Sequence, residues 1–199
     1  MTLILGIDPA QKTGWAYYDT SRSLAAIRAG VIKAEGDGYE EMAANLSRQL
    51  VVMMRRERPD FVSIESPLRA PLQARSAAKN RKGLDLDDQP DAAAGFGGLN
   101  AVISSNIMVG AIISAVAIKD VSWGMVSSAT WRKTFLGFGR QPGWDRKAWK
   151  KATREKCAAL RIPVTNDDMA DAVGVAFAAP NHPIFKMMQH QRSKEAEAA

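Results

Sequence analysis

Four acidic side chains in three separate segments of the sequence could carry metal-dependent chemistry. Asp8 ends the apolar run of residues 3–7, and Glu65 ends a second apolar run, residues 61–64. Asp168 and Asp171 are three residues apart in a segment with helical spacing, so they would share one helix face. If the two runs form neighbouring strands and this helix packs across their ends, all four carboxylates meet. Carboxylate oxygens are the ligands that Mg²⁺ and Mn²⁺ prefer.

Each acid also has a structural explanation. Asp8 or Glu65 could end its strand at a solvated loop, and Asp168 could interact with the dipole of the helix it begins. Asp171 is harder to explain in this way, because it directly precedes the apolar stretch 172–177 and has no Lys or Arg within one helical turn. An unpaired buried carboxylate is costly. We therefore favour a site where two ions about 4 Å apart promote phosphodiester hydrolysis.

The elements that must position these acids follow from the hydrophobic pattern. Strands are predicted at 3–8, 14–19, 23–34, 61–65 and in "VSWGMVSS", and helices around 42–54, at 99–119, in "DRKAWKKATREKCAAL" and through "DMADAVGVAFAA". This β-β-β-α-β-α-β-α-α order predicts an α/β fold with a five-stranded mixed sheet. Three antiparallel strands would precede the parallel ones, with helices on both faces. One domain would span 1–181 with a long mobile charged loop at 69–98, and a frayed polar tail would follow at 182–199.

Composition narrows the class of protein. The chain has 199 residues, of which 46% are hydrophobic and 24% charged, values typical of one globular domain. One cysteine excludes an internal disulfide, and with only two histidines it leaves too few ligands for a zinc site. The N-terminus lacks a signal-peptide pattern, and the apolar stretch 102–118 is too short and mixed for a membrane span. These features predict a cytoplasmic protein without a membrane partner.

The net charge of +6 favours a polyanionic partner. The candidate DNA-binding cations are Lys12 in the first turn, Arg69, Arg75, Lys79, Arg81 and Lys82 in the long loop, and Arg132, Lys133, Arg140, Arg146, Lys147, Lys150 and Lys151 before and along the penultimate helix. Trp131, Trp144 and Trp149 are interleaved with the last group, a mixture suited to backbone contact plus stacking. The alternative is a solvated lysine face above core tryptophans. Lys133 and Lys147 are the candidates for catalytic cations near the scissile phosphate.

Three motifs, "ILGIDPAQKTGWAYYD", "FVSIESP" and "NDDMADAVGVAFAA", occur in an order that resembles the RuvC-type Holliday junction resolvases of the RNase H-like superfamily. The resemblance implies that Asp8, Glu65, Asp168 and Asp171 are catalytic and hold two Mg²⁺ (or Mn²⁺) ions per active site. It also implies cleavage of branched DNA to 5′-phosphate and 3′-hydroxyl products, in recombination, repair or phage DNA processing. The helix at 99–119 would form the interface of a homodimer. The segment "SSATWRKTFLG" resembles phage-type members.

Two departures from the family pattern concern substrate specificity. RuvC-type enzymes often carry an aromatic residue three positions after the strand-four Glu, where this chain has Leu68, and the 69–98 loop is longer and more charged than in cellular members. We therefore expect a relaxed enzyme that cuts four-way, three-way or flap DNA. The alternatives are a non-catalytic branched-DNA-binding module of the same fold, an actin-like ATPase or sugar-kinase relative, and an RNA-directed nuclease.

Overall fold

The computed structural model describes residues 1–67 and 97–197, and within these ranges a five-stranded mixed sheet organises the chain. The strands are β1 (Leu3–Asp8), β2 (Lys12–Asp19), β3 (Arg28–Lys33), β4 (Phe61–Glu65) and β5 (Ser122–Val126). Their order across the sheet is β3-β2-β1-β4-β5. β1, β2 and β3 pair antiparallel, whereas β4 pairs parallel with both β1 and β5. The predicted mixed α/β sheet is confirmed.

Helices cover both faces of the sheet. They are α1 (Tyr39–Arg56), α2 (Gly97–Ile118), α3 (Ser128–Leu136), α4 (Arg146–Ala159), α5 (Asp167–Ala178) and α6 (Pro183–Glu197), with short 3-10 helices at Leu24–Ala26 and Ala179–Asn181. The sheet has a hydrophobic core on each face. Alternate residues of β1 contribute to one core or the other, because successive strand side chains point to opposite faces. Leu5 and Ile7 pack with α1 and α2, whereas Ile4 packs with α3, α4 and α5.

Several element boundaries differ from the sequence-based prediction. Helix α3 was not predicted: Ser127 caps it by accepting a hydrogen bond from the Thr130 amide, and Gly137 ends it at a φ of 95°. Strand β3 is shorter than expected because the 3-10 helix replaces its first residues. Of the predicted 69–98 loop, residues 69–96 lie outside the described residues, and 97 and 98 already belong to α2.

The expectation of a frayed tail after residue 181 was wrong, since Pro183–Glu197 forms α6. Phe185 of this helix is only 6% exposed and packs edge-on against Phe61, with ring centroids 5.3 Å apart. Arg192 also forms an ion pair with Asp60 at 2.7 Å. An aromatic contact, a long-range ion pair and a hydrogen bond from Gln189 to the Thr2 hydroxyl thus dock this segment on the rest of the chain.

Replacing Phe185 by Ala should test this docking. The change removes a buried ring and should lower the free energy of unfolding by about 3 kcal/mol. The neighbouring Ile184 is 45% exposed, so Ile184→Ala is a matched control that should cost well under about 1 kcal/mol. Urea denaturation of both variants measures the difference. Equal stabilities would show that the Phe185 ring does not stabilise the docked helix.

The helices within the described ranges include none with the length and apolar character needed to cross a bilayer.

Candidate functional site

The strand register brings Asp8 and Glu65 together at one edge of the sheet. β1 and β4 run parallel with Gly6 opposite Ser63 and Ile7 opposite Ile64, so the next residues of both strands are neighbours. The charge of the Glu65 carboxylate acts on Asp8 and helps to raise the pKa of that side chain. The expected neighbouring positions of these two strands are therefore confirmed, and two carboxyl groups share the carboxyl ends of β1 and β4.

Helix α5 approaches this edge closely because glycines face it. A Cβ at Gly14 would overlap the backbone carbonyl of Asp168, and a Cβ at Gly6 would lie 2.5 Å from the carbonyl oxygen of Ala172. Gly14 is also the β2 residue that pairs with Asp8. The helix backbone can rest directly on β1 and β2 only without these side chains. The first turn of α5 therefore lies beside Asp8.

The electrostatics of the site are dominated by like charge. Burial raises the pKa of Asp8 well above its usual range, and the charges of Glu65, Asp171 and Asp168 raise it further. Burial and the charge of Glu65 raise the pKa of Asp171 to about 7, although Lys150 and Arg132 act in the opposite direction. The structure thus brings Glu65, Asp168 and Asp171 within electrostatic reach of Asp8.

The donor chemistry of this acid cluster (Asp8, Glu65, Asp168 and Asp171) fits a hard divalent cation. All of its ligating atoms are carboxylate oxygens, and the like charges are desolvated, so a cation would relieve their repulsion. The four carboxylates, however, do not surround a single point as metal ligands would. Across residues 1–67 and 97–197, no three His, Cys, Asp or Glu side chains stand close enough to hold an ion.

The two adjacent acids that begin α5, Asp167 and Asp168, interact with different partners. Asp167 forms ion pairs with Lys150 at 3.2 Å and with Arg154 at 3.1 Å, which tie α5 to α4. Asp168 instead acts on the Asp8 carboxyl. Asn166 caps the helix by accepting a hydrogen bond from the Met169 amide. Asp167 therefore links two helices through ion pairs, whereas the assignment of Asp168 and Asp171 to a metal site stays a prediction.

Aromatic side chains surround Arg132 next to the cluster. Its guanidinium lies 4.7 Å from the ring centroid of Trp149 and 5.4 Å from that of Trp131. Trp131 is a core residue at 1% exposure, as the alternative interpretation of the tryptophans proposed. Trp144 and Trp149 are half-buried and pack against each other and Phe138. Arg132 is therefore held in place near Asp171.

The remaining predicted cations fall into three groups. Lys12, Lys133, Arg140, Arg146, Lys147 and Lys151 are exposed, and Lys151 lies 3.8 Å from Glu155. Arg69, Arg75, Lys79, Arg81 and Lys82 lie outside the described residues. The cations that act on Asp171 are Lys150 and Arg132. The catalytic roles assigned to Lys133 and Lys147 stay predictions.

One contact of the site was missed in the sequence. The hydroxyl of Ser128 donates a hydrogen bond to Oε1 of Glu65. Ser128 is the first residue of α3, immediately after β5, and β5 pairs with β4. The pair Ser127-Ser128, which the predicted strand "VSWGMVSS" included, is typical of a helix start and was the available signal.

The raised pKa values predict how stability depends on pH in the presence of a chelator. Asp171 has an ordinary pKa of 3.8 and a pKa of about 7 in the folded protein, so the folded state binds its proton more tightly. This contribution to stability is complete below pH 3.8 and is lost as the pH rises to about 7. Asp171→Asn, which stays neutral, should therefore gain stability relative to the wild type between pH 5 and 8.

Thermal unfolding in EDTA across that range measures this difference, and Mn²⁺ should reverse it at pH 8 by stabilising the wild type alone. A difference in Tm that does not change with pH would contradict the raised pKa.

Comparison with known proteins gives matches among solved structures alone: no protein-family model and no curated protein matches the chain. Thermus thermophilus RuvC in complex with a Holliday junction substrate is 14% identical, with a TM-score of 0.62 over 96% of this chain and 97% of that one. A second Thermus thermophilus RuvC structure is 15% identical, with a TM-score of 0.58 over 94% and 96% of the two chains. At the level of the fold, the resemblance seen in the motifs is confirmed: the chain has the RNase H-like fold of RuvC.

Proposed function

We propose that this chain is a divalent-metal-dependent endodeoxyribonuclease that cleaves branched DNA such as Holliday junctions. The observation that carries the proposal is that acids from β4 and α5, namely Glu65, Asp168 and Asp171, lie close enough to Asp8 on β1 to raise its pKa. The shared fold supports it, because a RuvC of that fold has been solved with a Holliday junction substrate. The basic net charge supports a nucleic-acid partner.

Each acid has a role in this proposal. Asp8, Glu65, Asp168 and Asp171 would together hold two Mg²⁺ or Mn²⁺ ions. When bound, the ions supply an activated water and neutralise charge on the phosphodiester, and the products would be a 5′-phosphate and a 3′-hydroxyl. The packing of α5 on the strands keeps bulk water from the buried side of the cluster. Lys150 and Arg132 offset part of the charge of Asp171.

The DNA would contact the exposed cations around α3 and α4 and enter from that side. Helix α2 would form the interface of a homodimer, and its Ile103 and Ile118 are 41% and 79% exposed. A two-fold dimer places two sites on a two-fold symmetric junction. The biological setting would be DNA recombination, repair or phage DNA processing.

A second candidate is a non-catalytic module that binds branched DNA. It is favoured by one observation: within the described part of the chain, the acids are not arranged as a closed set of metal ligands. In that case the protein would bind junctions without nicking them in either metal.

A cleavage panel separates the candidates. Matched four-way, three-way, flap, duplex and RNA–DNA hybrid substrates are incubated with the full chain in Mg²⁺, Mn²⁺ or EDTA, and the products are mapped. We expect nicks in the branched DNA in either metal and none in EDTA. Binding without nicking in either metal would support the non-catalytic module, and preferred cleavage of the hybrid would favour an RNA-directed nuclease.

A further inference from the structure

The first residue of α3, Ser128, contacts the acid cluster through its side chain. β4 and β5 pair parallel up to Glu65 and Val126, and the Ser66 amide donates to the Val126 carbonyl at 2.8 Å. The chain then turns directly into α3. This arrangement places the first residue of α3 beside the end of β4, where the Ser128 hydroxyl donates to Oε1 of Glu65.

The two serines at this turn, Ser127 and Ser128, have different hydrogen-bond partners. The side chain of Ser127 caps α3: its Oγ accepts from the Thr130 amide at 3.2 Å and lies 2.7 Å from the Thr130 hydroxyl. Ser128 is not needed for the cap, since the cap uses the neighbouring residue. Its hydroxyl instead donates a hydrogen bond to the Glu65 carboxylate.

Ser128 consequently restrains the carboxylate of Glu65. A glutamate side chain has three rotatable bonds and loses considerable entropy when it is fixed in one conformation. Here the Ser128 hydroxyl donates to one oxygen of the Glu65 carboxylate and so restricts its rotation. Hydrogen bonds that orient a ligating carboxylate tune metal affinity.

We propose that Ser128 is a positioning residue, which fixes the Glu65 carboxylate for divalent-cation binding. This inference rests on the proposed function, since it assigns Glu65 to the metal site. The inference gives α3 a second role, orienting Glu65, in addition to carrying the cations Arg132 and Lys133. It also distinguishes Ser128 from its neighbour, which stabilises the helix alone.

The experiment compares Ser128→Ala, Ser128→Thr and Ser127→Ala in the full-length protein. Mn²⁺ affinity is measured by calorimetry without DNA, and Tm is measured in EDTA. We expect Ser128→Ala to bind Mn²⁺ about 10-fold more weakly with little change in Tm, because the ligand loses its orienting partner. Ser128→Thr keeps the hydroxyl and should bind like the wild type. Ser127→Ala should lower the Tm and leave the Mn²⁺ affinity unchanged.

A double-mutant cycle with Glu65→Gln extends the test. Ser128→Ala should weaken binding no further in that background, since its effect passes through Glu65. Unchanged affinity in Ser128→Ala, an equal loss in Ser127→Ala, or an additive loss in the double variant would each overturn the inference. The proposed function would survive those results if the wild type still binds Mn²⁺ and nicks junctions. A wild type that does neither overturns both.

Discussion

Replacing Asp8 by Asn is expected to abolish cleavage of branched DNA while leaving DNA binding intact. The change keeps the size of the side chain but removes the charge of the residue that both Glu65 and the α5 acids face. Losing a carboxylate that would hold the metal ions should remove several kcal/mol of transition-state stabilisation. We therefore expect a loss of cleavage rate on the order of 10³-fold or more. Single-turnover cleavage of a four-way junction and a gel-shift assay in Ca²⁺ measure the two properties.

Asp19→Asn is the matched control for this variant. Asp19 ends β2 as Asp8 ends β1, but it lies at the opposite end of the sheet, where it pairs with Leu3 and accepts hydrogen bonds from Ser21. That variant should cleave at the native rate. Asp8→Asn should also raise the Tm in EDTA, because it removes a buried like charge. Native cleavage by Asp8→Asn in Mg²⁺ would show that the cluster is not the active site.

Replacing Gly14 by Ala should be the most damaging small change to the fold. The new methyl group would overlap the backbone of Asp168, so either α5 must move away from the sheet or β2 must bend. Overpacking of a close backbone contact costs about 3 kcal/mol, and movement of α5 also displaces Asp168 from Asp8. We expect a loss of stability of that size and a fall in cleavage that saturating Mn²⁺ only partly restores.

Gly110→Ala provides the comparison. Gly110 lies within α2, and a Cβ there would meet no atom within 4 Å. The change should therefore stabilise the protein by up to about 1 kcal/mol, because alanine favours the helix. Chemical denaturation of both variants gives the contrast. If Gly14→Ala were as stable as the wild type, α5 would not rest on the sheet as the structure has it.

The acids of the site could be predicted from the sequence because the signals are local. An apolar run that stops at Asp8, and another that stops at Glu65, mark strand ends at which a charge is retained. The i,i+3 spacing of Asp168 and Asp171 fixes their common helix face without any tertiary information. The mixed sheet followed in the same way from three closely spaced strands and the later alternation of helices with strands.

The partners of those acids could not be predicted, since each depends on long-range packing. Lys150 was a candidate for DNA contact, but the structure pairs it with Asp167. Ser128 reaches Glu65 only because β5 lies beside β4, a neighbour relation that no local pattern contains. Helix α6 was missed for a similar reason. Its Phe185 packs against Phe61, which lies more than one hundred residues earlier in the chain.

The glycine contacts between α5 and the sheet have a consequence for temperature adaptation. Main-chain atoms touch at Gly6 and Gly14, so the separation between the helix acids and the strand acids is set by hard contact and not by flexible side chains. Heat- or cold-adapted versions of this protein can therefore be sought among surface and loop substitutions. The spacing of the acids should then stay constant while the rest of the molecule is made stiffer or softer.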